Sequence, residues 1–331
     1  MLEFALKRAA WASFVMLAVI TIVFMLVSQI GDPCAARLGA NARPEQIAAC
    51  HEQYGFDQPL TAQYGAYLGL SSCVRKSSPN YDGGEGHCGI LQGDLGESMR
   101  MEQDVVEVIL TRLPRSMLLG AMAMGFEVLL GVFIGIIAAT RRNTWFDTGV
   151  MATAFVGISA PTFLSGLLFL YFFAFRLGWF PVGGYGNTPL EHIYSAILPA
   201  FTLAIIGAAT YARIMRSEMV ETLRADYVRT AKAKGLGPVA VIMKHGARNA
   251  LLPIVTLMGL QLAILVSGAI ITESIFAWPG VGRLAIESIH NLDAPIIMGV
   301  VIMVSFTVQF GNFLADVAVG ALDPRVRVDQ E

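Results

Sequence analysis

Charge is what this sequence has least of: Asp, Glu, Lys and Arg make up 15% of it, where soluble domains average about 25%. What charge there is nearly cancels, with 23 Lys and Arg against 25 Asp and Glu. A basic nucleic-acid binder is excluded by that balance, and no nucleic acid is expected as a partner. The high net charge and low hydrophobicity of a disordered chain are missing too. No Gly-x-x-x-x-Gly-Lys-Ser/Thr occurs, nor any Gly-Lys pair, so ATP phosphates cannot be cradled by that route. There is no Ser/His/Asp set, no His-Glu-x-x-His and no intramembrane carboxylate pair, so an enzyme is not expected. Cys-x-x-Cys is also absent, and no metal ligands are expected.

What remains is apolar. Hydrophobic residues reach 55% and the mean hydropathy is +0.60. The polar residues gather in a few blocks, which leaves stretches long enough to cross a bilayer as helices. The expected fold is an all-α integral membrane protein with six transmembrane helices. Their spans are 9–30, 115–140, 147–177, 193–214, 251–275 and 295–319. The first is too long for a signal-peptide core and is taken as a retained span. The third is long enough to tilt or break near Pro161.

Basic residues set the orientation. With the N-terminus inside, fourteen of the 23 fall on the cytoplasmic side: Lys7, Arg8, Arg141, Arg142, eight between 213 and 248, Arg325 and Arg327. Both termini are therefore expected to be cytoplasmic. The chain divides into the N-terminus and first span (1–30), an outer loop region (31–112) and a five-helix core (113–331) with a cytoplasmic loop at 213–250.

The outer loop holds all four cysteines, Cys34, Cys50, Cys73 and Cys88, on the side where oxidation is favoured. Four cysteines allow three connectivities. Cys73 and Cys88 bracket a Gly/Ser/Asn-rich stretch, and closing it would remove about 3 kcal/mol of chain entropy. The expected pairs are Cys73–Cys88 and Cys34–Cys50. The alternative is a metal site in which Cys50-His51 and His87-Cys88 converge. Pro44 marks a helix start with a stop near Gly55. A second short helix, 60–68, presents Tyr64 and Tyr67; these short helices either pack on the bundle, cap its outer mouth or receive a partner.

The cytoplasmic loop is the most informative segment. Residues 215–234 have helical character, with Glu218, Glu221, Arg224 and Arg229 at helical spacing. Gly235 is a helix C-cap and Gly237-Pro238 forces a turn. A second helix then runs through His245, Arg248 and Asn249 into Leu251-Leu252-Pro253. From the residues alone, this is either a rigid cytoplasmic hairpin or a basic loop held near anionic lipid.

Tyr227-Val228-Arg229-Thr230-Ala231-Lys232-Ala233-Lys234-Gly235-Leu236, followed by His245-Gly246-Ala247-Arg248-Asn249-Ala250-Leu251-Leu252-Pro253, resembles the coupling loop of ABC-importer permeases. The resemblance is to the dipeptide/oligopeptide/nickel/opine class, and to the first of its two permeases. It extends through Gly93-Asp94-Leu95-Gly96-Glu97-Ser98, Leu113-Pro114, Gly157-Ile158-Ser159-Ala160-Pro161, the segment 268–280 and Asp323-Pro324-Arg325-Val326-Arg327. Arg229 and Thr230 stand where the general importer motif has Glu and Ala, as fits the peptide class. Residues 71–92 look longer than the class usually has there.

The resemblance implies a transport subunit of a bacterial inner membrane that binds no cofactor itself. ATP and Mg would sit on two separate ATPase subunits; a second homologous permease, an outer substrate-binding protein and membrane lipid complete the partners. It places ATPase coupling on Tyr227, Arg229, Thr230, Ala231, Lys232, Lys234, Gly235 and Leu236. Tyr227, Ala231 and Leu236 are the expected packing contacts, with Arg229, Lys232 and Lys234 at the rim. Polar residues within spans are candidates for the translocation path: Glu127, Ser159, Gln261, Ser267, Gln309 and Asn312. Glu273 and Trp278 are candidates for an outer gate and interfacial anchor. The competing class is a proton-coupled secondary transporter or channel, with Glu127 or Asp316 as the proton site.

Overall fold

The structure, a computed structural model, describes residues 2–39, 41–70, 88–159, 161–266 and 269–322. Cys73, Ser267, most of the 71–92 segment and the Asp323–Arg327 motif lie outside them, as do the side chains of Ser159 and Asp316. Among the described residues the chain is helical without a named strand, and one isolated bridge joins Glu97 to Asp104. Among the described residues, four helices are long and apolar enough to cross a membrane: Lys7–Gln29, Val105–Thr140, Pro189–Thr222 and Ala294–Phe313.

The two other expected spans are not single helices. Residues 147–177 divide into α6 (Trp145–Ser159) and α7 (Thr162–Phe169), the latter continued by a π-helical turn, Leu170–Arg176. The break is at Pro161, which has no N–H to donate and biases the preceding residue away from helical geometry. Residues 251–275 likewise divide into α12 (Leu252–Val266) and α13 (Ile270–Ile275).

The chain forms two compact units, residues 1–114 with 284–313 and residues 115–283 with 314–331. In the first, α1 (Leu2–Ile30) is followed by α2 (Pro33–Leu38), α3 (Pro44–Tyr54) and α4 (Leu60–Leu68). Asp32 caps α2 by accepting the N–H groups of Cys34 and Ala35. Gly55 and Gly69 end α3 and α4 in the left-handed region, at φ 70° and 87°. Cys34 is bonded to Cys50, and the pair is buried with Met99, Ile47, Tyr54 and Phe56. Cys88 is also disulfide-bonded. Tyr64 and Tyr67 pack on Phe24 of α1, with ring centroids 5.1 and 5.8 Å apart, and Tyr64 shares a 2.6 Å hydrogen bond with Thr21. Both tyrosines thus pack on α1, as the packing role expected for them has it.

The next helix, α5 (Val105–Thr140), starts ten residues before the expected 115. The Asp104 carboxylate accepts the N–H groups of Val106 and Glu107 at 2.7 and 3.3 Å, a cap that starts the helix upstream of Pro114. In the second unit α5 meets α8 (Pro189–Thr222) through a seam of small residues. A Cβ on Gly131 would collide with Tyr211, and one on Gly135 would lie 2.6 Å from the Met215 Cβ and 2.8 Å from the Ala212 carbonyl. Glu127 faces Gly207 in the same way. The register is thus 127 to 207, 131 to 211 and 135 to 215, a parallel crossing made possible by glycine at spacing four. The Gly131-Val132-Phe133-Ile134-Gly135 pattern is the sequence signal for it.

Candidate functional site

The hairpin expected on the cytoplasmic side begins where α8 ends at Thr222. A turn at 223–225 separates it from α9 (Asp226–Ala233), so the expected continuous helix over 215–234 is interrupted. Beyond α9 the chain returns through α10 (Pro238–Ala240), a π-helical turn, Val241–Ala247, and α11 (Arg248–Ala250), directly into α12. Gly235 sits at φ 80°, and the Leu236 N–H reaches back to the Ala231 carbonyl at 3.3 Å. That six-residue closure is the glycine-terminated helix end that satisfies otherwise orphaned carbonyls.

The hairpin is fixed to its own unit. Met215, Met219, Ala247, Ala250 and Ile254 are buried together with Tyr211 and Ala139. A Cβ on Gly246 would lie 3.1 Å from Leu223 and 3.2 Å from Met219. The Asn249 amide donates to the Tyr227 hydroxyl at 2.8 Å, joining the two legs. Within α9, Val228 and Ala231 are buried, while Arg229, Thr230, Lys232, Lys234 and Gly235 are exposed. Tyr227 is 45% exposed and Leu236 36%. Ala231, one of the expected packing contacts, is buried within the chain itself. Beside the hairpin, a cavity of about 350 Å³ is lined by Thr140, Leu223, Lys232, Leu236, Pro238 and Ile242, among others.

A further anchor escaped the sequence. Arg216 donates from Nε and Nη2 to the two oxygens of Asp147, whose side chain is 4% exposed. The same carboxylate accepts the Asn143 N–H at 3.0 Å. The C-terminal part of α8 is thereby tied to the turn that opens α6. An acid at the start of an apolar run was its only signal.

On the opposite side of the same unit, Glu273 is fully buried. It accepts the Ser116 hydroxyl at 2.7 Å and the Arg283 N–H at 2.9 Å, while Ser116 Oγ accepts the Val281 N–H at 2.8 Å. Trp278 is also fully buried and donates to the Arg115 carbonyl at 3.1 Å. A Cβ on Gly280 would collide with both Glu273 and Ser116. The two expected gate residues are thus brought together as a buried frame around the turn between α13 and α14 (Val281–His290).

Among the expected path residues, Glu127 is half-buried against Gly207, and the Tyr211 hydroxyl donates to Gln261 Oε1 at 2.8 Å. Because Gly207 and Tyr211 are one helical turn apart on α8, Glu127 and Gln261 belong to one polar stripe. Gln309 and Asn312 lie on α15 (Ala294–Leu322), in the first unit. A metal reading of the outer loop meets Asp32, Cys34 and His51 close together, but the Cys34 sulfur is committed to Cys50.

Residues 131–328 match the family described as binding-protein-dependent transport system inner membrane component, and residues 1–120 match the N-terminal family of such components. A Brucella abortus protein described as a peptide transport system permease is 36% identical over 328 residues, covering 98% of each chain. A glutathione transport system permease protein of Salmonella choleraesuis is 38% identical, covering 99% of each. Among solved structures, an inward-facing methionine ABC transporter aligns with 97% of its chain and 66% of this one, at 16% identity and a TM-score of 0.54. That likeness concerns the fold alone.

Proposed function

The chain belongs to the family of binding-protein-dependent transport system inner membrane components, as an ABC-importer permease of the peptide class, and on that premise we propose that it forms half of an ATP-driven peptide import path. It is a multi-pass protein of the bacterial inner membrane and a transport subunit rather than an enzyme. The six-span arrangement with both termini inside gathers the two divided segments, α6–α7 and α12–α13, as one span each. It leaves 31–112 outside and 113–331 as the core.

The exposed hairpin around Gly235 carries the proposal. Tyr227 and Leu236 form its apolar contact, and Arg229, Thr230, Lys232 and Lys234 surround it. This surface docks on one of two ATPase subunits, which hold ATP and Mg. Closure of the ATPase pair then pushes the hairpin, and the push passes to α8 and α12 because Met215, Met219, Ala250 and Ile254 lock them to it. A second homologous permease completes the path, and an outer binding protein delivers the cargo. Peptides are the proposed cargo because the relatives are named for peptide and glutathione transport.

Purification from the native membrane in mild detergent tests this. Two ATPases and a second permease that co-purify would support it. A chain recovered alone, with proton-driven uptake, would replace it with a secondary transporter.

A further inference from the structure

Four apolar stretches of the second unit, 116–140, 148–175, 193–212 and 252–266, contain a single Asp, Glu, Lys, Arg or His between them, and it is Glu127. On the continuous helix α5, Glu127 lies twelve residues from Arg115 and thirteen from the last residue, Thr140, beside Arg141, or about 18 and 20 Å at 1.5 Å per residue. It therefore sits near the middle of a hydrocarbon core about 30 Å thick. A carboxylate at that depth is costly unless a cation or hydrogen-bond donors meet it. Among the described residues no ion pair or hydrogen bond reaches it. The side chain is only half-buried, so a mobile group can approach. Gly207 is what makes the room: any larger residue there would occupy the carboxyl position.

The neighbouring groups add a second polarity. The Tyr211 hydroxyl, one turn along α8 from Gly207, donates to Gln261 Oε1. With its oxygen occupied, the Gln261 amide keeps its NH2 free to donate. The stripe thus offers an unpaired carboxylate and an amide donor, and no cation.

We propose that Glu127 receives the amino-terminal ammonium of a peptide in transit, while the Gln261 amide, oriented by Tyr211, donates to a peptide carbonyl. This rests on the import function proposed above and adds the chemical group recognised inside the membrane. A single charge pair in a site without further cations holds the ammonium transiently and lets it leave. A peptide capped at its amino end would gain nothing there.

The test uses the whole importer with its binding protein, reconstituted in proteoliposomes. Labelled alanyl-alanine and its N-acetyl form are each supplied at concentrations that saturate the binding protein. Uptake and ATP hydrolysis are recorded separately for the wild type, Glu127→Gln and Glu127→Asp. Glu127→Gln should lower uptake of the free-amine peptide at least tenfold and leave stimulated hydrolysis within twofold. Glu127→Asp should retain most of the uptake, and the acetylated peptide should be indifferent to both changes. Equal loss of both peptides, or unchanged uptake of alanyl-alanine by Glu127→Gln, would overturn the assignment. A wild-type complex with no ATP-driven uptake of either peptide would overturn the import function itself, and this assignment with it.

Discussion

The Asn249 side-chain amide donates to the Tyr227 hydroxyl at 2.8 Å, and that bond joins the outgoing leg of the hairpin around Gly235 to the returning one. Both side chains are exposed, so the bond's value is in geometry more than in energy. Tyr227→Phe should cost about 0.5–1.5 kcal/mol of local stability. Hydrogen exchange of the α9 amides should quicken accordingly, and uptake per ATP hydrolysed should fall. Unchanged exchange would show that the legs are held by the buried methionines alone.

Gly235 adopts φ 80°, and a Cβ placed on it would have nothing within 4 Å, so a substitution there meets backbone strain and no steric clash. Gly235→Ala should cost about 1–2 kcal/mol. Gly235→Asn should cost less, because asparagine tolerates the left-handed region. Gly237 has open space and no positive φ, so Gly237→Ala is the control. ATP-coupled uptake should rank wild type and Gly237→Ala first, then Gly235→Asn, then Gly235→Ala.

Asp147 is almost wholly buried and holds Arg216 through both its oxygens. Asp147→Ala leaves the guanidinium without its carboxylate, a loss on the order of 3 kcal/mol for such pairs. Thermal unfolding in detergent should show a clear drop for Asp147→Ala. The double variant with Arg216→Met should recover part of it. Additive losses would mean that the two residues act separately.

At the start of α2, burial pulls the Asp32 carboxyl up, but its bonds to His51 and to the Ala35 and Cys34 N–H groups outweigh that and hold it below the ordinary value. A lowered folded value means that the ionised form favours folding. The contribution is therefore complete above the ordinary aspartate value near about 3.9 and is lost as pH falls through the lower folded value. Protection of the Cys34 and Ala35 amides should weaken in acid below that point. Asp32→Asn should abolish this pH dependence.

How far these features could be read in advance depended on local punctuation. Pro44, Gly55 and Gly69 mark the ends of α3 and α4 because proline and left-handed glycine act through the backbone alone. Pro114 misled for the same reason: it reads as a start, yet the Asp104 cap lets α5 begin upstream. Hydrophobicity located the membrane segments, and Pro161 pointed to the break in the third of them, whereas the division of 251–275 into two helices was not foreseen. The burial of Ala231 and of Glu273 was invisible, since both depend on partners distant in sequence. Gly131 and Gly135 carried a packing signal at spacing four whose counterpart, Gly207 with Ala208 and Ala212, becomes apparent only in the folded register.

The most direct test of the coupling surface is a photo-activated cross-linker placed at Leu236 in the assembled importer. The adduct should be with an ATPase subunit, and its yield should change between nucleotide-free and ATP-bound states. Cross-linking to lipid, or to no protein in either state, would contradict docking of this hairpin on an ATPase.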